Sequence, residues 1–460
     1  MGISFDNKKV AFMRSYGRIL LSLMLSVGAF GCDPPASQSP VRDASTASVA
    51  IQPASAPTPA PTPPPAPTTS AEKPSAEAMT KLASSSNQFG FDLYKKIITK
   101  TQGNLVISPS SITTALSMTW GGAKAATAGE MKQVMHLAQT PEEVMDTSGK
   151  LTAVLTDPSR PVTFRIANRL FGEKTYDFDA GYMSLTERAY GAPLERVDFK
   201  AAPEPARVLI NGWVDKQTES RIKDLIPASG VDKETRLVLV NAIYFLGDWA
   251  EPFEKGATRP SPFRLSAKET KEVPTMSRTD SYRIASRDGL SALELPYAGG
   301  DLSMVVLLPD AVDGLAGMEA SMTDAKLTAI LGDLRSERVW VSLPKFTINP
   351  AVSLSLRDDL MGLGMRSAFD RDRADFTGIA NPPNKADRLF ISQVFHKGFI
   401  RVDEKGTEAA AATAVSMARA GGMPSKPMEF KADHPFAFVI RDNASGLILF
   451  MGRVLNPATE

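Results

Sequence analysis

Histidine and cysteine, the residues most often used for nucleophilic or metal chemistry, are few in this sequence and far apart. The 460 residues include three histidines, His136, His396 and His434, and a single cysteine, Cys32. No pair of these four has the spacing of metal ligands. The metalloprotease motif HExxH, the nucleophile elbow GxSxG and a phosphate-binding Gly-rich loop are also missing. We therefore predict that the protein is not an enzyme and uses no metal or cofactor, although distant parts of the chain could still assemble a Ser/His/Asp site.

One segment has a composition that suits a conformational change. Residues 404–424 read EKGTEAAAATAVSMARAGGMP, with small side chains and few charges. In isolation EAAAATA favours a helix, because alanine has the highest helix propensity. As a strand, it would place alternate residues on two faces. One face would carry Thr407, Ala409, Ala411, Thr413, Val415 and Met417, and the other Glu408, Ala410, Ala412, Ala414 and Ser416. Because nothing large or charged on the first face prevents burial, the segment could be an exposed loop or a buried strand.

The elements around this segment indicate a mixed α+β domain. Apolar residues recur at helical spacing in residues 76–100, and SPSSITTALSMTW begins with a serine cap followed by a first-turn proline. Strand-type runs dominate the second half of the chain, and LVLVNAIYF is apolar on both faces, as in a central strand covered on two sides. The pattern predicts more than one sheet. The runs are RLVLVNAIYFLGDW, DLSMVVLLP, VWVSLPKFTI, RLFISQVFHKGFIRVDE, FAFVIRD and GLILFMGRVL.

The N-terminus has the pattern of an export signal. Lysines and arginines precede an apolar run at residues 19–30, which is too short to span a bilayer permanently. The lone Cys32 excludes an intramolecular disulfide and resembles a bacterial lipoprotein acylation site, although AFGC lacks the leucine favoured three residues earlier. We predict a signal peptide over residues 1–32 and lipidation at Cys32, with simple secretion and a buried, unprocessed thiol as alternatives. The protein would be exported, as a cell-envelope lipoprotein or extracellularly, and would meet a membrane only through this lipid.

Residues 33–75 separate this signal from the rest of the chain. They are dominated by Pro, Ala, Ser and Thr, as in APTPAPTPPPAPTTS, and have no apolar period. Such segments favour extended polyproline conformations, which predicts a disordered, semi-stiff linker. A tail without a role is the alternative. Residues 76–460 contain no second linker and no evident repeat, so we predict one large domain there.

The charge balance excludes one class of partner. The net charge is +1 and the pI is about 7.7. Nucleic-acid-binding domains usually carry a strongly basic surface, and no such excess is present. We therefore predict no nucleic-acid partner, and a monomer.

Seven collinear segments resemble the serpin family of serine protease inhibitors. They are ISPSSITTALSM, INGWVDKQTESRIKDLIP, NAIYFLGDWAEPF, LELPYAGGDLSMVVLLP, FHKGFIRVDEKGTEAAAATA, FKADHPFAFVI and LFMGRVLNP. They follow the family's order and spacing over nearly everything after residue 76. The departures are small: Leu246 stands where lysine is common, and Ala437 where a larger apolar residue is usual. The resemblance implies an α+β fold with three β-sheets, eight to nine helices and an exposed reactive-centre loop.

The resemblance also implies a function. Serpins offer the loop as bait to a serine protease, and after cleavage it inserts as a new strand of the main sheet while the protease is still attached as an acyl-enzyme. This predicts an inhibitor that traps its target in a covalent 1:1 complex. A non-inhibitory serpin-like binding or chaperone protein is the alternative. The hinge of the loop would comprise Glu404, Gly406, Thr407, Ala409, Ala410, Ala411 and Ala412.

Family spacing places the reactive bond between Ala420 and Gly421. Alanine before the bond suits an elastase-like or subtilisin-like protease with a small apolar pocket. A shift of one residue would place Arg419 before the bond and predict a trypsin-like target. Met417 and Met423 are further alternatives.

Five residues match family positions concerned with opening the main sheet. Ser108, Ser111, Asn241 and His396 correspond to a polar cluster beneath the sheet, and Trp249 to an aromatic residue near the top of the opening. A buried histidine bonded to asparagine or serine could hold the sheet closed and still exchange partners. The alternative is that all five are satisfied core residues.

Overall fold

The computed structural model describes residues 72–191, 194–407 and 426–459, all within the compact unit Thr68–Glu460. In these ranges no helix combines the length and the apolar character needed to cross a bilayer. The predictions for Cys32, for the alanines at 409–412 and for the reactive bond fall outside the described residues. The described ranges belong to the domain that would carry the loop.

Nine α-helices lie within the described ranges. They are α1 Ala76–Ile98, α2 Pro109–Trp120, α3 Ala125–Val134, α4 Pro141–Leu155, α5 Ala180–Tyr190, α6 Pro203–Gln217, α7 Leu315–Ser321, α8 Asp324–Gly332 and α9 Arg357–Leu363.

Sixteen strands are described. They are β1 Leu105–Ile107, β2 Val162–Glu173, β3 Glu195–Val197, β4 Leu237–Asp248, β5 Arg259–Arg264, β6 Thr270–Arg287, β7 Leu290–Pro296, β8 Leu302–Pro309, β9 Arg335–Pro344, β10 Phe346–Ile348, β11 Leu354–Ser355, β12 Gln393–Val402, β13 Gly406–Thr407, β14 Met428–Lys431, β15 Phe436–Asp442 and β16 Ile448–Val454.

The α+β class is confirmed, and the strands form two hydrogen-bonded sheets. The larger has nine strands in the order β1-β16-β15-β8-β7-β6-β9-β14, with β5 paired to β6. The 18-residue strand β6 pairs with β9 along most of its length and with β7 at its end. This long strand therefore joins two of the three expected sheets into one.

The smaller sheet, of seven strands, carries the features predicted to be functional. Its order is β10-β12-β13-β4-β2-β3, with β11 paired to β12. Strands β12 and β4 pair directly in parallel, from Gln393 opposite Val238 to Phe399 opposite Tyr244. We call this parallel junction the seam. Beyond it the two strands diverge, and the two-residue strand β13 lies between them.

Strand β4 is covered on both faces, as its continuous apolar run predicted. Leu239, Ile243 and Phe245 belong to the main hydrophobic core, whereas Val240 and Tyr244 belong to a second core that also contains residues of α6. Every residue from Leu237 to Phe245 is buried. The seam therefore lies between two packed layers, and parting it must disturb both.

Helix α2 runs through the main core and begins beside the seam. Its predicted cap is confirmed: the Ser108 side chain accepts a hydrogen bond from the Ser111 amide, and Pro109 occupies the first turn. All twelve residues of the helix are buried. This places the polar start of α2 where the sequence predicted a cluster beneath the sheet. The helix predicted over residues 76–100 is also confirmed, as α1.

Candidate functional site

The hinge predicted at Gly406 and Thr407 already lies between the two strands of the seam. Thr407 pairs with Val402 of β12 and with Gly247 of β4, antiparallel to both. Its side chain is fully buried, and its hydroxyl lies 2.8 Å from the Tyr297 hydroxyl. One end of the seam is therefore parted by the chain that leads into residues 408–425.

The position of Gly406 requires a glycine because the backbone of β4 lies so close. A Cβ atom at this position would stand 2.0 Å from the carbonyl oxygen of Gly247 and 2.7 Å from the Cα of Asp248. Both contacts are with backbone, which cannot turn aside as a flexible side chain can. Any larger residue would push the hinge out of the sheet.

Trp249 lies beside the hinge. Its backbone amide donates to the Lys405 carbonyl at 2.7 Å, and its indole nitrogen donates to the Asp403 carbonyl at 3.1 Å. The indole stacks on Tyr297, with 4.7 Å between ring centroids and 15° between planes. Trp249 and Tyr297 therefore hold the hinge from the side of β4. Trp249 is thus at the hinge end of the seam, while the other four predicted residues lie together farther along it.

Glu404 is anchored by two residues that the sequence did not identify. Its carboxylate accepts hydrogen bonds from the Thr258 hydroxyl and the Lys345 ammonium, each at 2.8 Å. The side chain is 7% exposed. Burial alone would raise the pKa of Glu404, but the bonds from Lys345 and Thr258 outweigh it and hold the pKa below its usual value. A buried, ionised side chain thus fixes the chain just before the hinge.

We expect Glu404→Gln to destabilise the uncleaved protein at neutral pH by about 1–3 kcal/mol, because hydrogen bonds to a charged group are lost. The pKa of Glu404 is lower in the folded protein than in the unfolded chain, where it is near 4.5, so the ionised carboxylate stabilises the fold above that pH. This stabilisation is lost as the pH falls through the pKa of the folded state. The variant should therefore lose less stability on acidification than the natural protein. Urea unfolding at several pH values measures both effects. Glu429→Gln is the control, since exposed Glu429 lies 3.7 Å from exposed Lys426. Equal losses in the two variants would contradict the anchoring role.

Ser108, Ser111, Asn241 and His396 meet in one buried cluster across the seam. His396 of β12 stands in register with Asn241 of β4. The Ser108 amide donates to His396 Nε2 at 3.2 Å, so Nδ1 carries the proton and donates it to Asn241 Oδ1. Asn241 Nδ2 in turn donates to Ser111 Oγ at 2.6 Å. The cluster thus connects β12, β4 and α2 through side chains that are almost completely buried.

Asn168 of β2 is a fifth member of the cluster that sequence reasoning missed. Its Oδ1 atom accepts from Asn241 Nδ2 at 2.5 Å and from Ser111 Oγ at 3.2 Å. It stands opposite Asn241 in the pairing of β2 with β4. No local signal marked it, because β2 mixes apolar and polar residues along its whole length. The hydrogen-bond network therefore extends across three adjacent strands.

Burial keeps His396 neutral. Removal from water lowers its pKa from 6.5 to about 3, and hydrogen bonding with Asn241 opposes this only partly. A neutral imidazole can donate through one nitrogen and accept through the other, which the cluster requires. Protonation would place a donor opposite the Ser108 amide and break that bond.

The free energy of unfolding should fall on acidification because of His396. In the unfolded chain the imidazole binds a proton near pH 6.5, but in the folded chain only near pH 3. Between these values the unfolded state binds more protons, so this residue alone lowers stability by about 1.4 kcal/mol per pH unit as the pH falls. Urea unfolding between pH 4 and pH 7 should show a slope that His396→Phe reduces by this amount. An unchanged slope in the variant would show that His396 is not responsible.

The geometry defines a class of protein in which the start of a small-residue segment lies between two strands that pair in parallel farther along. The sequence profile described as Serpin (serine protease inhibitor) matches residues 84–457. The leukocyte elastase inhibitor of Homo sapiens is 41% identical over 388 residues, covering 82% of this chain and 100% of the relative. Two solved structures are also similar. Serpin48 of the insect Tenebrio molitor is 32% identical, with a TM-score of 0.73 and coverage of 82% and 98%. Arabidopsis AtSerpin1, in its native stressed conformation, is 29% identical, with a TM-score of 0.72 and coverage of 83% and 99%.

The chain therefore belongs to the serpin family. It has the serpin fold and is a serine protease inhibitor of the serpin type, not a catalytic enzyme. In the serpin mechanism a loop inserts into the main sheet, and in this chain such an insertion would part the seam.

Proposed function

We propose that this serpin traps an elastase-like serine protease in a covalent 1:1 complex after cleavage within residues 408–425. The observation that supports the proposal is the position of Thr407, which is buried between β12 and β4 and antiparallel to both. A strand that continued from it would lengthen β13 along the seam. The acylated protease would be carried along with the inserting strand.

The register of Thr407 supports a specific length for the inserted strand. Thr407 lies opposite Gly247, so continuation in the same register would bring Met417 opposite Leu237, the first residue of β4. The inserted strand would fill the whole of β4. Ala420 would then lie three residues beyond that end of the strand, about 44 Å from Thr407 at 3.4 Å per residue. An attached protease would be pulled against that end of the domain.

The same register supports an assignment of faces. Because the Thr407 side chain points into the main core, the residues that alternate with it would point there too. These are small or apolar except for Thr413, which would enter between His396 and Asn241. A strand inserted there separates its neighbours by about 9.6 Å, twice the usual strand spacing, so the hydrogen bond between His396 and Asn241 must break. The Thr413 hydroxyl would offer a new polar partner at that position.

The energetics favour insertion through packing. Each inserted residue loses about 1–2 kcal/mol of backbone entropy. Its new backbone hydrogen bonds, up to two, contribute about 0.5–1.5 kcal/mol each, so the two effects nearly cancel. Burial of Val415 and Met417 would add about 1.5–3 kcal/mol each. The parallel pairing of the seam would also be replaced by two antiparallel ladders, which are slightly more stable per residue.

We propose that the cleaved bond joins Ala420 to Gly421. Ala420 suits a protease with a small apolar pocket, and several relatives are named leukocyte elastase inhibitors. Mass spectrometry of the released C-terminal peptide identifies the bond: a peptide beginning at Gly421 is expected. A peptide beginning at Ala420 would mean cleavage after Arg419 and a trypsin-like target.

The complex itself is tested by incubation with neutrophil elastase, subtilisin and trypsin, followed by denaturing gel electrophoresis. A band at the summed mass of the two proteins, stable to boiling, is expected with at least one of them. Each protease with its catalytic serine replaced by alanine is the control, since it cannot form the ester. Complete cleavage of the loop without such a band would reject covalent trapping.

We also propose that the protein is an exported bacterial lipoprotein, anchored through Cys32. The support is the basic and apolar pattern before this lone cysteine and the Pro-rich segment after it. Mass spectrometry of the N-terminal peptide from the native host should find an acylated Cys32. The variant Cys32→Ala should be released from the membrane fraction. An N-terminal peptide without an acyl group on Cys32 would reject the lipid anchor and leave simple secretion as the explanation.

A further inference from the structure

A solvent-open cleft on the second core side of the smaller sheet has no assigned role. It has a volume of about 400 Å³. One wall is formed by residues 349–351, which come directly after β10. The other wall belongs to residues 218–236, which connect α6 to β4 and which we call the cover segment. The lining side chains that carry charge are Arg221, Lys223 and Asp224 of the cover segment and Lys397 of β12.

Lys397 is the unusual residue of the cleft. It is 6% exposed, and its ammonium donates to the carbonyl oxygen of Lys223 at 3.1 Å. Within the described ranges it forms no ion pair with a carboxylate, so a buried cation is left with donors to spare. Burial lowers its pKa, and the charge of Asp224 opposes this from a distance. A buried ammonium in this state favours a ligand that brings negative charge.

The charges of the cleft add to this preference. Lys223 and Lys397 each carry a positive charge and Asp224 carries one negative charge, which leaves a local excess of one even without Arg221. Clefts lined by one sign of charge concentrate ions of the opposite sign. The cleft therefore favours an anion.

The backbone of the cover segment, which carries basic side chains of the cleft, is strained at several residues. Glu219, Ser220 and Asp224 have φ angles of 50°, 62° and 49°, in the left-handed region that residues with a side chain rarely adopt. Such strain persists only where the surroundings enforce it, and it is common in segments that bind or switch. The Asn211 side chain of α6 supplies part of that support by bonding both the amide and the carbonyl of Ile226.

We propose that this cleft binds a small oxyanion, a phosphate or sulfate group, between Lys397 of β12 and the basic side chains of the cover segment. The shared chemistry is a tetrahedral group whose oxygens accept several charge-assisted hydrogen bonds. The cleft is large enough for such a group alone or at the end of a small sulfated sugar.

Occupancy would oppose opening of the seam. Lys397 stands in β12 opposite Ala242 of β4, and the cover segment packs on the same face of both strands. An anion bonded to β12 and to the cover segment would stabilise the arrangement that loop insertion must disturb. This consequence rests on the proposed insertion mechanism, whereas binding itself does not. Bound anion should therefore slow insertion and let more inhibitor be cleaved without trapping the protease.

The experiment is calorimetric titration of the uncleaved protein with inorganic phosphate and, separately, with a sulfated disaccharide, at constant ionic strength. Saturable binding is expected, and Lys397→Met should weaken it at least tenfold, about 1.4 kcal/mol. Lys132→Met, which changes an exposed lysine of α3, is the matched control and should bind normally. If phosphate binds more tightly than the sulfated disaccharide, the ligand is a free ion. If the disaccharide binds more tightly, the ligand is the sulfated end of a glycan.

A second variant, Lys223→Ala, tests the proposal even if Lys397→Met does not fold. Lys223→Ala removes one cation but keeps the backbone carbonyl that Lys397 bonds, so the fold should survive while phosphate affinity falls. The proposal is overturned if neither anion binds, or if Lys397→Met and Lys223→Ala both bind as the natural protein does. The stoichiometry of inhibition is measured in parallel and should rise with phosphate. Binding without that rise would keep the site and remove its effect on insertion.

Discussion

Thr407→Arg is expected to convert the inhibitor into a substrate. The Thr407 side chain is fully buried between β12 and β4, and its hydroxyl is hydrogen-bonded with the hydroxyl of Tyr297. A guanidinium there would be a buried charge without a carboxylate partner, which costs several kcal/mol. The hinge of the uncleaved variant would therefore leave its place between β12 and β4, and insertion would have to bury the guanidinium. A penalty of about 3 kcal/mol on that step slows it more than a hundredfold, because each 1.4 kcal/mol is a factor of ten in rate. The protease would then hydrolyse the ester before it is trapped.

The measurement is the number of inhibitor molecules consumed per protease molecule inactivated. It should be near one for the natural protein and at least tenfold higher for Thr407→Arg, by the same rate argument. Glu408→Arg is the matched control, since Glu408 alternates with Thr407 and already carries a charge. The control should inhibit almost normally. If Thr407→Arg inhibits as well as Glu408→Arg does, the inward face does not govern insertion.

His396→Ala is expected to destabilise the uncleaved protein by about 3 kcal/mol, since it empties a buried site and removes two hydrogen bonds. The Ser108 amide and Asn241 Oδ1 would each lose the hydrogen-bond partner that His396 of β12 provides. A weaker connection between β12 and β4 should also let the uncleaved loop insert by itself. Inhibitory activity should therefore decay faster during incubation at 37 °C, and unfolding in urea should begin earlier.

The comparison with His136→Ala separates this role from a general effect of losing a histidine. His136 is partly exposed and lies 2.8 Å from Asp92. Surface pairs of this kind contribute about 0–1 kcal/mol, so stability and inhibition should hardly change. If His396→Ala lowers stability but leaves inhibition and its decay unchanged, the cluster is an ordinary satisfied core and has no part in opening the sheet.

Several features of the fold could be predicted because their signals are local. The serine cap and first-turn proline of α2 lie within four residues of each other, and the structure confirms both. The continuous apolar run of β4 predicted a strand covered on two faces, which is also confirmed. The assignment of Gly406 and Thr407 to the hinge rests on family spacing together with small side chains and stays a prediction. The cap of α2 and the apolar run of β4 depend only on neighbours along the chain.

The missed residues act through contacts between distant parts of the chain. Lys345 is 59 residues from Glu404, and Asn168 is 73 residues from Asn241. Neither has a motif of its own, so no local pattern could assign it a partner. The joining of two expected sheets by β6 was also missed, because the sequence analysis identified no strand over residues 270–287 and therefore none of its partners.

By itself, the sequence determined that residues 404–424 can be either a loop or a strand, because alternation and small side chains permit both. Only the tertiary structure decided how the hinge enters the sheet, by burying Thr407 against Tyr297 and pairing it with β12 and β4. It also decided that His396 is neutral, since burial lowers an imidazole pKa that the sequence leaves at its ordinary value. Both decisions depend on what surrounds a side chain in space, and chain order alone does not contain that information.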